Sequence, residues 1–540
     1  MYIDTTTAIA NYHPNIKNTY FKNCLNLRNE FCKWIDKIGE KKNLDWWISN
    51  PASRNYNFSK LFHFFCLIET IKKEIYFINQ NSLIVDNQAI KDVLKKQLKI
   101  KSNIQVREEN LFNFINNFLI ILKSFIFHSI VYFFSKIGKE RKIPNKKKLT
   151  LIDTFLEDAN LNNNRFYSNF FLKITSKKKN IFFIPSFYLG MGLIETIKKI
   201  INCKKNQNFL LKENFLSFKD LIKSLTLIFR RKQIKMQVSK LRGVDYKMLI
   251  KKELYSNTNL SSQILGWQNY LFFKKIKKKK FKVKKSINWF ENQAKDKGWN
   301  LGVRTFFPKA KSYGYQGFTV FPQYIMGLNP SSLEYKSKVI PETILSIGKN
   351  FNQLKKEFCD KLKIKTVPAL NFQHIYKKKK IQIKNKKNIL LILTGFLDDD
   401  VNLINWLINS NIHKSSYKIF IKEHPILKIK NIKKNIKNFP KHFKIIKKNF
   451  WNSVNFSGNL ICTGSTSALI ELIISGRFCI IPKLNPYDGE VLKKLNIKNN
   501  FSILDEPEEL IHNLKNHKIK KFSLKNYFTR LSEENIKIFL

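Results

Sequence analysis

Glycine and proline are scarce in this 540-residue chain, at 17 and 14 residues. Collagen-like repeats and Pro/Gly-rich low-complexity architecture are thereby excluded. Cysteine is sparse too: seven residues, at 24, 32, 66, 203, 359, 462 and 479, odd in number, scattered and without CxxC spacing. That pattern supports neither a zinc site nor a disulfide framework. Cys462 and Cys479 fall in apolar runs, where a free thiol behaves as a small hydrophobe, and a reducing cytoplasm fits. Acidic residues number 39 against 99 basic ones, giving a formal net charge of +60. Arginine supplies only 11 of that basic total. The charge is therefore lysine, and Lys, Asn, Ile and Phe, all abundant here, share A/T-rich codons. No zinc finger, RNP-like or helix-turn-helix signature accompanies it, which argues against nucleic acid as a partner. A basic surface still attracts anions, including phospholipid headgroups and sugar nucleotides. Met1-Tyr2-Ile3-Asp4 lacks the basic segment and apolar run of a secretory signal.

What is present is a chain rich enough in apolar residues (43%, with 14% aromatic) to build two or three cored domains. Short apolar runs alternate with helical patterns, the signal of parallel sheets. Leu44–Ile48, Glu74–Asn79 and Ile104–Val106 read as strands, with helices at Asn57–Lys72 and from Val85 onward. After an interruption, strands are expected at Leu149–Thr154, Ile181–Pro185, Asn208–Leu211 and Ser286–Phe290, with Leu301–Thr305 pairing to the last. Residues 325–343 are turn-rich and read as a linker. A second series follows at Ile344–Ile347, Asn388–Leu393, Tyr417–Ile421, Phe443–Ile446, Leu460–Cys462, Cys479–Ile481 and Ser502–Leu504. The expected fold is α/β: two Rossmann-like lobes facing a cleft, the GT-B arrangement. Its parts are the start of the N-terminal lobe (1–110), an insertion (111–148), the rest of that lobe (149–324), the linker (325–343) and a C-terminal lobe (344–540).

The insertion is apolar and basic-flanked. Leu111 to Phe134 is dense in Phe, Ile and Leu, interrupted by Asn113, Asn116, Asn117, Lys123 and His128, and runs into Lys136, Lys139, Arg141, Lys142 and Lys146-Lys147-Lys148. Its length suits a bilayer span, but the polar interruptions favour a helix lying in the interface with its basic flank on anionic lipid. A buried domain helix is the alternative.

Two motifs carry chemistry. Lys422-Glu423-His424-Pro425 leaves one expected strand, and Thr463-Gly464-Ser465-Thr466-Ser467-Ala468 leaves another and opens a helix. A residue before proline stays extended, so His424 should project past the sheet edge. Small polar residues at a helix start can present free N–H groups to a phosphate. Together these suit a nucleotide-phosphate site, although an ordinary strand-to-helix turn has the same ingredients.

The ordered pair resembles bacterial sialyltransferases and related GT-B glycosyltransferases of surface-polysaccharide loci, and more distantly Kdo transferases and polyol-phosphate transferases. Trp289-Phe290-Glu291-Asn292-Gln293, through Asp296-Lys297, Gly302-Val303-Arg304 and Gly314-Tyr315-Gln316-Gly317-Phe318 to Pro341-Glu342, resembles the interdomain part of an O-antigen-type biosynthesis family. The resemblance implies a metal-independent, inverting glycosyltransferase with no cofactor. Its donor would be a nucleotide-activated sugar of nonulosonic or Kdo-like type, its acceptor a glycan or lipid-linked molecule. Its place would be peripheral, at the cytoplasmic face of the bacterial plasma membrane. It also implies donor-phosphate roles for His424, Gly464, Ser465, Thr466 and Ser467. A polyol-phosphate transferase, or a non-catalytic scaffold of the same fold, remains open.

The residues themselves suggest further roles. Glu471, in the helix after the turn, is either a ribose ligand or a solvated carboxylate. Glu291 ends its strand opposite the donor side and is the leading general base. Asp153 is second, or else a turn cap. Asp398-Asp399-Asp400 has the look of a metal cluster but stands where acids cap a helix, and the cap is favoured. Arg304 and Arg54 are noted because arginine is rare here and binds phosphate bidentately. Tyr315 and Gln316 sit in a turn that is either a cleft wall or simply packed.

Overall fold

The computed structural model describes the chain except residues 1, 7–11, 108–110, 139–147, 157–165, 169–179, 191, 320–324, 378–384, 426, 465 and 516–518. The basic flank 139–147 and Ser465 thus lie outside the described residues. Among those described, the strands are β1 (Tyr2–Asp4), β2 (Ser82–Val85), β3 (Ile104–Val106), β4 (Lys148–Phe155), β5 (Ile181–Ser186), a hairpin β6 (Lys240–Leu241) and β7 (Val244–Asp245), and β8 (Lys282–Trp289). They continue as β9 (Lys311–Gln316), β10 (Thr343–Ser346), β11 (Lys363–Thr366), β12 (Asn388–Ile392), β13 (Lys418–Lys422), β14 (Lys444–Ile445), β15 (Asn459–Ile461), β16 (Cys479–Pro482) and β17 (Phe501–Leu504).

Two six-stranded sheets dominate, ordered β11-β10-β9-β8-β4-β5 and β14-β13-β12-β15-β16-β17, and every pairing in them is parallel. The fold is α/β with two Rossmann-like sheets in the GT-B arrangement. Central strands such as β12 are buried along their whole length, which is why they read as continuous apolar runs. A smaller parallel sheet, β1-β2-β3, precedes them.

The chain reverses direction across each large sheet. In the first, it lays down β4 and β5, then returns to the other side of β4 for β8 and onward. In the second, it runs β12 to β14 on one side and returns beside β12 with β15. The crevices at the carboxyl ends of β4/β8 and β12/β15 are therefore the topological switch points, where open α/β sheets bind ligands.

Several local expectations differ. Leu44–Trp47 is a helix, because the Asn43 side chain accepts from the N–H groups of Asp45 and Trp46 and caps it. Ile75–Asn79 is a helix following directly on Leu61–Lys73. Asn208–Leu211 contributes only a bridge between Phe209 and Phe183. Leu301–Thr305 belongs to the helix Ala294–Phe306, which packs on the helix Leu260–Lys278 at glycine contacts: a Cβ on Gly298 would lie 1.8 Å from the Gly266 carbonyl oxygen. The strand expected to open the second series, β10, instead pairs with β9 in the first sheet. Residues 325–343 hold two short helices, Ile325–Leu328 and Ser332–Lys336, and form the crossover between those strands. The end of the chain returns to the first sheet: Thr529 N–H donates to the Ile347 carbonyl (2.7 Å) and Lys285 Nζ to that of Ile538 (2.7 Å).

Candidate active site

Between the carboxyl ends of the two sheets lies a cleft of about 410 Å³. Its first-sheet wall includes Trp289, Glu291, Gln293 and Phe318; its second-sheet wall includes Thr394, Phe396, His424, Thr466 and Ser467. The HP and Ser/Thr motifs and Glu291 thus share one cavity.

On the first-sheet side, the turn after β8 is held from behind. Asp296 closes a capping box: its Oδ2 accepts from the N–H groups of Glu291 and Gln293, both 3.0 Å. Asn292 takes a left-handed conformation (φ 55°), with its side-chain amide buried on the Gly327 carbonyl (2.9 Å). Flanking side chains then aim Glu291: Trp289 Nε1 donates to Oε1 (2.7 Å) and Gln293 Nε2 to Oε2 (2.5 Å). Lys297 pairs with Glu334 at 2.7 Å, both fully buried, and Arg54 pairs with the same carboxylate. The charge of these two cations lowers the Glu334 carboxyl below its usual range despite its burial. Arg54 ends a helical turn in a left-handed conformation, so its anchorage places Asn55 and Asn57 on the cleft.

On the second-sheet side, loops after three adjacent strands converge. After β12, Asp400 accepts from Thr394 N–H (2.6 Å), Thr394 Oγ1 (2.9 Å) and Gly395 N–H (3.1 Å). Burial pushes its carboxyl up to about 6. Both Asp400 oxygens are engaged in capping this turn. Gly395 has φ +87°, and a Cβ there would stand 2.3 Å from His424 Nδ1. The glycine therefore lets the imidazole, leaving β13, lie directly against the loop. After β15, Gly464 N–H donates to Asp488 Oδ1 (2.7 Å), and Asp488 Oδ2 accepts from Leu484 and Asn485 N–H groups (both 3.0 Å). Burial pushes the Asp488 carboxyl up to about 7. Thr319 ties this wall to the other lobe, its Oγ1 donating to the Ser467 carbonyl (3.1 Å).

The remaining sequence candidates lie elsewhere. Asp153 is buried, accepting from Lys295 Nζ (2.8 Å) and Ser186 Oγ (3.1 Å). Glu471 faces His374 Nε2 (2.6 Å) outside the cleft lining. Arg304 donates to the Tyr335 and Ile340 carbonyls (3.3 and 3.1 Å). Tyr315 is fully buried, its hydroxyl donating to the Pro368 carbonyl (3.1 Å), and Gln316 is buried against Lys355. The helix after the Ser/Thr turn begins at Ala468 and is only seven residues long.

Sequence reasoning missed the Thr394-Gly395-Phe396 loop, whose signal was a glycine between a strand and an acidic helix start. It also missed Asn55, Asn57 and Asn371, which carry no motif.

No family model matches the chain, and no curated protein does. Among solved structures, the chain is similar to MurG of Acinetobacter baumannii, at 10% identity and a TM-score of 0.36, over 68% of this chain and 91% of that one. A likeness of that degree carries no conclusion about activity.

Proposed function

We propose that the protein is a glycosyltransferase that moves a sugar from a nucleotide-activated donor to a hydroxyl acceptor. The observation that carries this reading is the shared cleft, with Glu291 after β8 on one wall and His424, Thr394 and Thr466, after β13, β12 and β15, on the other. Glu291 accepts the proton of the acceptor hydroxyl, whose oxygen attacks the anomeric carbon from the first-sheet side. The bond from that carbon to the donor phosphate oxygen breaks, and the leaving phosphate takes hydrogen bonds from His424 and from the Thr466 and Ser467 hydroxyls. One displacement inverts the anomeric centre.

The finer reading is a nonulosonic or Kdo-like donor and a role in surface-polysaccharide (O-antigen type) synthesis. It is supported by the resemblance of His424-Pro425 and the Thr463–Ser467 turn to sialyltransferase motifs. Attachment at the cytoplasmic membrane face is supported by the helix Leu111–Lys136, whose segment Ile115–Lys136 is long and apolar enough to cross a membrane and exposes Phe118, Leu122 and Ile126.

The test is a panel of CMP-, UDP-, GDP- and CDP-linked sugars and polyols, read by thermal shift and by transfer. One nucleotide class should stabilise the wild type and protect it less after His424→Ala. Equal shifts in both proteins would overturn the donor site, and transfer from CDP-polyols alone would replace glycosyl with phosphoryl transfer.

A further inference from the structure

A second cavity, of about 360 Å³, adjoins the first and shares Phe166, Glu291 and Gln293 with it. Around the charged Glu291 and Lys295, its walls combine two chemistries. One is neutral and polar, from Asn257, Thr258, Asn259, Ser261 and Ser262, at the start of the helix Leu260–Lys278, and from Ser124. Three of these groups have no hydrogen-bond partner: Ser124 Oγ, Asn259 Nδ2 and Ser262 Oγ. Ser124 and Asn259 are 1% and 5% exposed. Buried polar groups are ordinarily paired, and these three belong to residues that line one cavity. The other chemistry is aromatic, from Phe155, Phe166 and Tyr188. Uncharged amides and hydroxyls beside aromatic rings are the donors and platforms that a saccharide uses.

The helix Leu111–Lys136 relates this chamber to a lipid surface. Ile120 and Ser124, four apart on one face, line the cavity. The opposite face exposes Phe118 (59%), Leu122 and Ile126 to solvent. Next to it, Leu193 and Ile194 on the helix Leu193–Lys205 are exposed as well, and Tyr188-Leu189-Gly190 forms the rim just before them.

We propose that the second chamber is the acceptor subsite and receives the saccharide headgroup of a lipid-linked glycan. The lipid leaves over the 188–190 rim to the apolar surface outside, and the reacting hydroxyl reaches Glu291 where the two cavities meet. This assignment rests on the glycosyl-transfer reading of the first cleft.

The test uses the full chain with dodecyl β-maltoside below its micellar concentration, with maltose and dodecylphosphocholine as comparisons, read by saturation-transfer NMR. Dodecyl β-maltoside should bind about tenfold tighter than either comparison. Gly190→Trp puts bulk at an exposed rim where an added Cβ meets only the Tyr188 ring, at 3.5 Å. It should weaken that binding about tenfold and leave the nucleotide-sugar thermal shift intact. Ser124→Phe, which fills the chamber, should do the same if it folds. Unaltered binding to Gly190→Trp, or dodecylphosphocholine binding as tightly as the glycoside, would overturn the assignment. Glycoside binding in a wild type that ignores every nucleotide sugar would leave the chamber standing as a glycolipid site and remove the transfer reading instead.

Discussion

Replacing Gly395 by alanine should disable the enzyme through His424, and the size of the effect can be worked from the geometry. An alanine held at φ +87° costs on the order of 1–3 kcal/mol of backbone strain. Its Cβ, at 2.3 Å from His424 Nδ1, is roughly 1 Å inside van der Waals contact. The imidazole must retreat by about that distance, and a misplacement of about 1 Å at a reacting group costs on the order of 10²-fold in rate. Gly395→Ala should therefore lower kcat about 10²-fold, while KM for the acceptor, bound on the other wall, changes little.

A double-mutant cycle separates this from general damage. His424→Ala alone should cost about 10²–10³-fold, as for loss of one donor to a developing negative charge. If Gly395 acts only by seating the imidazole, adding Gly395→Ala to His424→Ala should cost nothing more. The assay is initial-rate transfer from the donor identified in the panel, with urea midpoints reporting the strain separately. Wild-type turnover in Gly395→Ala, or two losses that multiply in the double variant, would refute the reasoning.

Glu291→Gln keeps the shape and the Trp289 contact but cannot accept a proton, so transfer should fall about 10²–10⁴-fold with the donor thermal shift retained; loss of donor binding would show Glu291 to be a binding group. Asp488 has its carboxyl raised by burial from 3.8 to about 7, so the folded state holds the proton more tightly than the unfolded one. Its contribution to stability is full below 3.8 and is lost as pH rises through about 7. Asp488→Asn should flatten the decline in urea midpoint between acid and neutral pH, and an unchanged profile would reject the assignment. Flotation with anionic liposomes should recover the protein, less at high salt but not zero, because lysine attraction is screened while inserted Phe and Ile remain; Phe118→Ser with Leu122→Ser should remove the salt-resistant fraction, and failure of the wild type to float at either salt would mean the helix does not attach.

The sheets were legible because parallel strands buried on both faces are unbroken apolar runs, as at Asn388–Ile392 and Cys479–Pro482. His424 and Glu291 were legible as polar residues at strand exits, and the structure brings both to one cleft. Errors arose where a local device overrode pattern. Asn43 caps a Trp-rich stretch into a helix, and two glycines let Leu301–Thr305 pack as helix against helix. Arg304 was noted for residue type and Tyr315 and Gln316 for an expected turn, yet the latter two end a strand, and the partners of all three are carbonyls and a lysine far along the chain, which no local pattern displays. Asn55 and Asn57 owe their place to the buried Arg54–Glu334 pair, 280 residues apart in sequence.

Lysine abundance turns out to be silent about the reaction. Among the described residues lining the 410 Å³ cleft there is no Lys or Arg, in a chain with 99 of them. The cations nearest its first-sheet wall are already committed: Lys295 lies between Asp153 and Asp296, at 2.8 and 3.3 Å, and Lys297 and Arg54 are spent on Glu334. On the proposed reading, a leaving phosphate in this cleft would be met by His424 and by neutral hydroxyls such as those of Thr466 and Ser467. Such donors act through fixed orientation, since they bring no net charge of their own. Asp400 and Asp488 support the loops after β12 and β15 from behind: each accepts from the backbone N–H groups that shape its turn, and each carboxylate costs stability at neutral pH because it is buried. The fold tolerates that cost where it fixes the donor-side loops, with the His424 imidazole lying against the first of them.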